Sequence, residues 1–104
     1  MSMSSGAQQS AGAFAVDGDR WRFTGALTFD DAAQVLAAAN ELPLPSAGII
    51  DMSGLSHADS AALAVLLALK RRAKAERKPL EFPALPPMLD SLARVYGIEE
   101  LFPA

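Results

Sequence analysis

The run Ala47-Gly48-Ile49-Ile50 carries no polar side chain and stops at Asp51. A continuous apolar run of this length reads as a strand covered on both faces, as at the centre of a mixed or parallel sheet. The segments around it supply the remaining layers. Upstream, Phe14-Ala-Val16, Asp17-Gly18-Asp19 and Trp21-Arg-Phe23-Thr-Gly25 form a hairpin pattern with period two, in which Asp-Gly supplies the tight turn. Trp21 and Phe23 then share one face, and Arg22 and Thr24 the other. Thr28 opens a helix, and Asp31 three residues later has capping-box spacing. Phe29, Ala32, Leu36 and Ala39 make the apolar stripe of that helix, and Asn40 and Pro43 end it.

Downstream, Asp51 to Asp59 reads as a loop leading into the longest helix, roughly Ser60 to Lys78. Leu80-Glu81-Phe82 is a brief strand. Pro86 and Pro87 begin a last helix lined by Leu85, Leu89, Leu92 and Tyr96. Gly97, followed by Ile98, is placed to close that helix in a Schellman-type end. The expected order is β-β-α-β-α-β-α. It describes an α/β sandwich with a mixed sheet of about four strands and helices mainly on one face.

The chain has 104 residues, enough for one domain, and 51% hydrophobic residues, enough for a packed core. Residues 1–13 are rich in Ser, Gly, Ala and Gln and are expected to be a flexible tail, with the folded domain at 14–104. They lack the basic and apolar regions of a secretory signal. The absence of cysteine excludes disulfides, thiolate metal sites and a cysteine nucleophile. A net charge of −3 argues against broad nucleic-acid binding. No apolar run approaches the roughly 20 residues that span a bilayer.

Chemistry-bearing motifs are sparse. Neither a phosphate loop nor a dinucleotide fingerprint occurs, and the one histidine, His57, cannot build a multi-histidine metal site. His57, Asp59 and Ser60 have the residue types of a hydrolase triad but crowd into four positions, whereas triad members usually come from separate segments. Asp30-Asp31 reads as a helix-start feature. No catalytic residue, metal or cofactor is expected. The long helix is more informative. Projected at about 100° per residue, Ala62, Val65, Leu66, Leu69 and Ala73 form a sheet-facing stripe. Leu63 and Leu67 fall to one side, in line with Lys70 and Lys74, which leaves two readings open: a wide core contact, or a docking surface with leucines at its centre and lysines at its rim. The cations from Lys70 to Lys78 complement the helix dipole and read first as a solvated face, with anionic lipid headgroups or nucleic acid as the further readings.

The segment Asp51-Met52-Ser53-Gly54-Leu55-Ser56-His57-Ala58-Asp59-Ser60-Ala61-Ala62-Leu63 resembles the signature of STAS domains, the family of anti-sigma factor antagonists and sulfate-transporter C-terminal domains. In that family a strand ends in Asp-x-Ser, and a loop leads to Asp-Ser at a helix start. The likeness runs from about Phe14 to Pro103, including Tyr96-Gly97-Ile98-Glu-Glu-Leu101-Phe102. Asp59-Ser60-Ala61-Ala62-Leu63, Leu80-Glu-Phe82 and Leu85-Pro86-Pro87 are more similar to the MlaB branch, the STAS subunit of the Mla-type phospholipid ABC transporter. Ala62, where many sigma-pathway antagonists carry glycine, points the same way. The resemblance implies a non-enzymatic cytoplasmic subunit that binds an MlaF-like transporter ATPase, with the permease in the same complex. It would meet the inner membrane only through that complex. The partner-contact set would be His57, Ser60, Leu63, Leu67 and Lys70, and Asp51, Ser53 and Asp59 would organise the loop. The alternative implied is an anti-sigma factor antagonist, with an anti-sigma factor kinase as partner and Ser60 as the phosphorylated residue. In either case Ser60 also has an ordinary structural reading as the helix cap.

Overall fold

The computed structural model describes residues 12–98. Most of the expected tail, and the closing Glu99 to Phe102, lie outside the described residues. Strands β1 (Ala13–Asp17) and β2 (Arg20–Leu27) form the hairpin. Its turn is Gly18-Asp19, with Asp17 opposite Arg20, and Gly18 at φ +67 takes the left-handed conformation that side-chain-bearing residues avoid. Helix α1 spans Phe29–Asn40. Strand β3 (Ile50–Ala58) lies parallel to β2 and gives the sheet order β1-β2-β3. Helices α2 (Ser60–Ala75) and α3 (Pro87–Val95) follow.

Alternation in β2 separates two environments. Trp21, Phe23 and Leu27 are buried, whereas Arg20, Arg22 and Thr24 are exposed. The helices therefore cover one face. The core joins those β2 residues to Ile50, Met52 and Leu55 of β3 and to Val65, Leu66 and Leu69 of α2. Leu89 and Ala93 of α3 complete it. Burial of each large apolar side chain contributes about 1.5–3 kcal/mol. Phe14 packs edge-on to Phe23 with ring centres 4.9 Å apart, which fastens β1 onto the same core.

Several expectations need correction. The segment expected to be a loop from Asp51 onward is strand. β3 spends three residues from Asp51 to Gly54 while β2 spends two from Arg22 to Thr24, and it gains another extra residue between Leu55 and His57. These two bulges break the period-two pattern, so Met52 and Leu55 both point inward although they are three apart. At Gly54 a Cβ would sit 2.5 Å from the Phe23 carbonyl oxygen, so the first bulge requires glycine. Cover on both faces of the Ala47–Ile50 run is also only partial. Ile50 is buried, Ile49 half-buried and Ala47 exposed.

The expected fourth strand is reduced to one parallel bridge, Ile49 with Glu81. Pro79 and Pro83 flank Leu80–Phe82, and neither can donate to a ladder. In α1 the buried residues are Val35 and Ala39, while Phe29 is 81% exposed rather than part of the stripe. Tyr96 likewise faces out. Helix α2 ends at Ala75, not Lys78, because Arg77 turns to φ +58 and the Lys78 amide bonds back to the Ala73 carbonyl oxygen. This is a Schellman end with arginine where glycine is usual. The same closure at α3 follows the expectation, with Gly97 at φ +69 and the Ile98 amide donating to the Ala93 carbonyl oxygen.

Candidate docking site at the helix N-termini

Helices α1 and α2 lie side by side and point the same way, because side chains of α2 and its cap tie both pairs of ends. At the N-terminal end the Asp59 carboxylate accepts the Ala61 amide through Oδ1 at 2.8 Å and the Phe29 amide through Oδ2 at 3.0 Å. One carboxylate thus occupies the positive ends of two helix dipoles and satisfies an orphan donor in each. At the other end Arg72 sends Nη1 to the Ala39 carbonyl at 3.2 Å and Nη2 to the Leu42 carbonyl at 2.6 Å. Its Nε meets Glu76 at 2.8 Å. A guanidinium therefore satisfies carbonyls at the negative end of α1.

This arrangement reassigns the caps. Thr28 stands at the N-cap of α1 but its side chain makes no capping bond, so the expected capping box with Asp31 does not form. Asp59, not Ser60, caps α2. Ser60 is the first residue of the helix and is exposed, with its hydroxyl not consumed by capping. Both Asp59 oxygens are engaged with backbone amides, and His57 instead contacts Ser56 Oγ at 3.3 Å. The His57, Asp59 and Ser60 trio is therefore not wired as a triad.

The remaining candidates separate. His57 is exposed on β3, close in sequence to Ser60. Leu63 is buried in the core, and Leu67 is half-buried and packed against it. Helix α3 packs on α2, so the wide-core reading accounts for these two leucines. Lys70 donates to the Leu80 carbonyl at 3.1 Å and lies 5.9 Å from the Phe82 ring centre. Asp51 organises the first bulge, because its Oδ1 accepts the Ser53 amide at 2.8 Å, a donor left out of the ladder. Those Ser53 hydrogen bonds, and more weakly the cations Arg22 and Arg20, hold the Asp51 carboxyl below the usual carboxylate range.

Periodicity could not show the groove between α1 and α2. Its volume is about 610 Å³, and Phe29, Ala32, Leu36, Ala61, Ala64 and Val65 line it with Asp59 and Ser60 at one end. It exists because small side chains from two helices face each other, and its rim carries the exposed Phe29 ring. Apolar lining beside an exposed hydroxyl suits a protein contact better than a reaction centre. Among the described residues no cluster of three His, Cys, Asp or Glu is arranged to hold a metal ion, and no helix is long and apolar enough to cross a membrane.

A family model described as "Mlab, STAS domain" matches residues 13–103. No curated protein matches the chain significantly.

Proposed function

Since the chain belongs to the STAS domain family, we propose that it is a non-catalytic subunit that binds and regulates or stabilises the ATPase of an Mla-type phospholipid ABC transporter. It would act in the cytoplasm, with the permease in the same complex, in maintaining outer-membrane lipid asymmetry. The observation that carries the reading is the composition of the α2 N-terminal end: exposed Ser60 at the end of an apolar groove rimmed by an exposed phenylalanine, with exposed His57 three residues upstream. Docking there buries Phe29 and covers Ser60. Leu63, Leu67 and Lys70 do not line this groove: the two leucines pack in or against the core, and Lys70 is engaged with Leu80 and Phe82.

A second reading is favoured by one observation. With Asp59 acting as the cap, the Ser60 hydroxyl is left accessible at a helix start, where a phosphate meets backbone N–H groups and a favourable dipole. In that case the chain is an anti-sigma factor antagonist, switched by about −1.5 to −2 units of charge added at Ser60.

Affinity purification of the full chain from its native cell, with identification of the co-purifying protein, tests the choice. An ABC ATPase supports the first reading, and an anti-sigma kinase as sole partner refutes it. Ser60→Glu adds a mutational arm. A helix N-terminus accepts an anion, so circular dichroism should show an unchanged fold. Docking should weaken at least tenfold, because bulk and like charge are added beside Asp59. Full ATPase binding by Ser60→Glu would remove this helix start from the interface.

A further inference from the structure

Six of the nine lysines and arginines, Lys70, Arg71, Arg72, Lys74, Arg77 and Lys78, fall within residues 70–78 of a chain whose net charge is −3. The structure divides them by occupation. Lys70 and Arg72 are committed to backbone carbonyls, and Lys78 lies 3.9 Å from Glu76. Among the described residues the side chains of Arg71, Lys74 and Arg77 have no ion-pair or hydrogen-bond partner. Arg71 leaves α2 on the side opposite Ala62, Leu66 and Leu69, and Lys74 leaves it from the flank, in line with Leu67 and Lys70; both are exposed. The Schellman turn then brings Arg77 and Lys78 to the same end, and every residue from Lys74 to Pro79 is exposed. The result is a projecting cationic tip.

We propose that this tip is a contact for an anionic membrane surface. The chemistry favours a bilayer over a partner of fixed spacing, because the four cations project from a helix side and from the turn after it. Anionic lipids diffuse to each cation wherever it lies, whereas an acidic helix or a phosphate backbone must match them in register. The acidic groups at the helix N-termini, Asp30, Asp31 and Asp59, stand near the far end of a 16-residue helix, about 24 Å away. That exceeds the Debye length of about 8 Å at physiological salt, so they do not cancel the attraction. The acids at the tip's own end, Glu76 and Glu41, offset part of it, and the six cations from Lys70 to Lys78 outnumber them. The contact does not depend on the docking reading above, since it uses the opposite end of α2.

The test is co-sedimentation of the full chain with vesicles of equal parts phosphatidylglycerol and phosphatidylcholine, against vesicles of phosphatidylcholine alone. Binding is expected to the anionic vesicles only. It should be lost as salt rises from about 0.05 M to about 0.5 M. Each cation removed should weaken it about fivefold, so Arg71→Gln/Lys74→Gln lowers it about 25-fold. Circular dichroism confirms that this neutral pair is folded, and Arg71→Glu/Lys74→Glu should abolish binding. Absence of binding at low salt, equal binding to neutral vesicles, or undiminished binding of the folded Gln pair overturns the proposal. Binding of polyglutamate or duplex DNA without vesicle binding also overturns it, by assigning the tip to a protein or a nucleic acid.

Discussion

Asp59 offers a substitution whose outcome separates a simple cap from a tie between two helices. Asparagine caps helices as well as aspartate does. If the side chain served α2 alone, Asp59→Asn would therefore be close to neutral. The structure expects otherwise, because Oδ1 accepts the Ala61 amide while Oδ2 accepts the Phe29 amide. An asparagine that keeps its oxygen toward Ala61 turns its NH₂ toward the Phe29 N–H, and two donors then face each other. The lost bond to a charged acceptor costs about 1.5 kcal/mol. Asp59→Ala loses that bond and the cap, for a total of about 2.5 kcal/mol. In a domain of this size those values lower Tm by roughly 6–12 °C and 10–20 °C. Thermal and urea melts followed by circular dichroism measure both. Thr28→Ala is the control and should lie within about 0.5 kcal/mol of the parent, since Thr28 makes no capping bond. An Asp59→Asn protein as stable as the parent would refute the two-helix tie.

Three further outcomes follow from other residues. Arg72→Lys keeps the charge but cannot reproduce the fork to Ala39, Leu42 and Glu76, so urea melts should show a loss of about 1–2 kcal/mol; no loss would mean the fork is not formed in solution. Arg77→Gly should stabilise the domain by about 1 kcal/mol, because Arg77 sits at φ +58 where only glycine avoids a Cβ clash, and an unchanged or lower urea midpoint would contradict this. The Asp51 carboxyl is held below its ordinary value of 3.8, so its stabilising contribution is present above that pH and is lost as pH falls through the lower, folded-state value. The stability difference between parent and Asp51→Asn should accordingly be constant above 3.8 and shrink below it, and a difference that grows with acid would reverse the sign of the argument.

Local chemistry carried much of this fold. The Pro86-Pro87 helix start and the Gly97-Ile98 closure depend on neighbouring residues, and the structure has them where the sequence puts them; the hairpin turn is one residue later than expected, at Gly18-Asp19 with Asp17 paired in β1. What failed depended on distance along the chain. Bulges in β3 erase alternation, so a strand from Asp51 to Ala58 looks like a loop until its partner β2 is known. Thr28 looks like a cap because nothing local reveals that a carboxylate thirty residues on reaches the same helix start. The proposed docking site was partly legible: Ser60 and His57 are exposed, but the leucine beside them, Leu63, is core. The groove has no signature in either helix alone, since alanines acquire meaning only when two helices bring them face to face.

The two ties have a mechanical consequence. Asp59 and Arg72 fasten α1 to α2 at both ends, leaving between them a span bridged by alanines and a few larger apolar groups. Such a frame resists sliding, because a shift of either helix along its axis breaks bonds at both ends together. Bowing is softer, since only the dispersion contacts of small side chains oppose separation at mid-span. A partner side chain that wedges between Ala32 and Ala64 would flex the frame while its corners hold. Amide hydrogen exchange would register that strain at the first turns and at the Ala39–Leu42 end, well away from the inserted group.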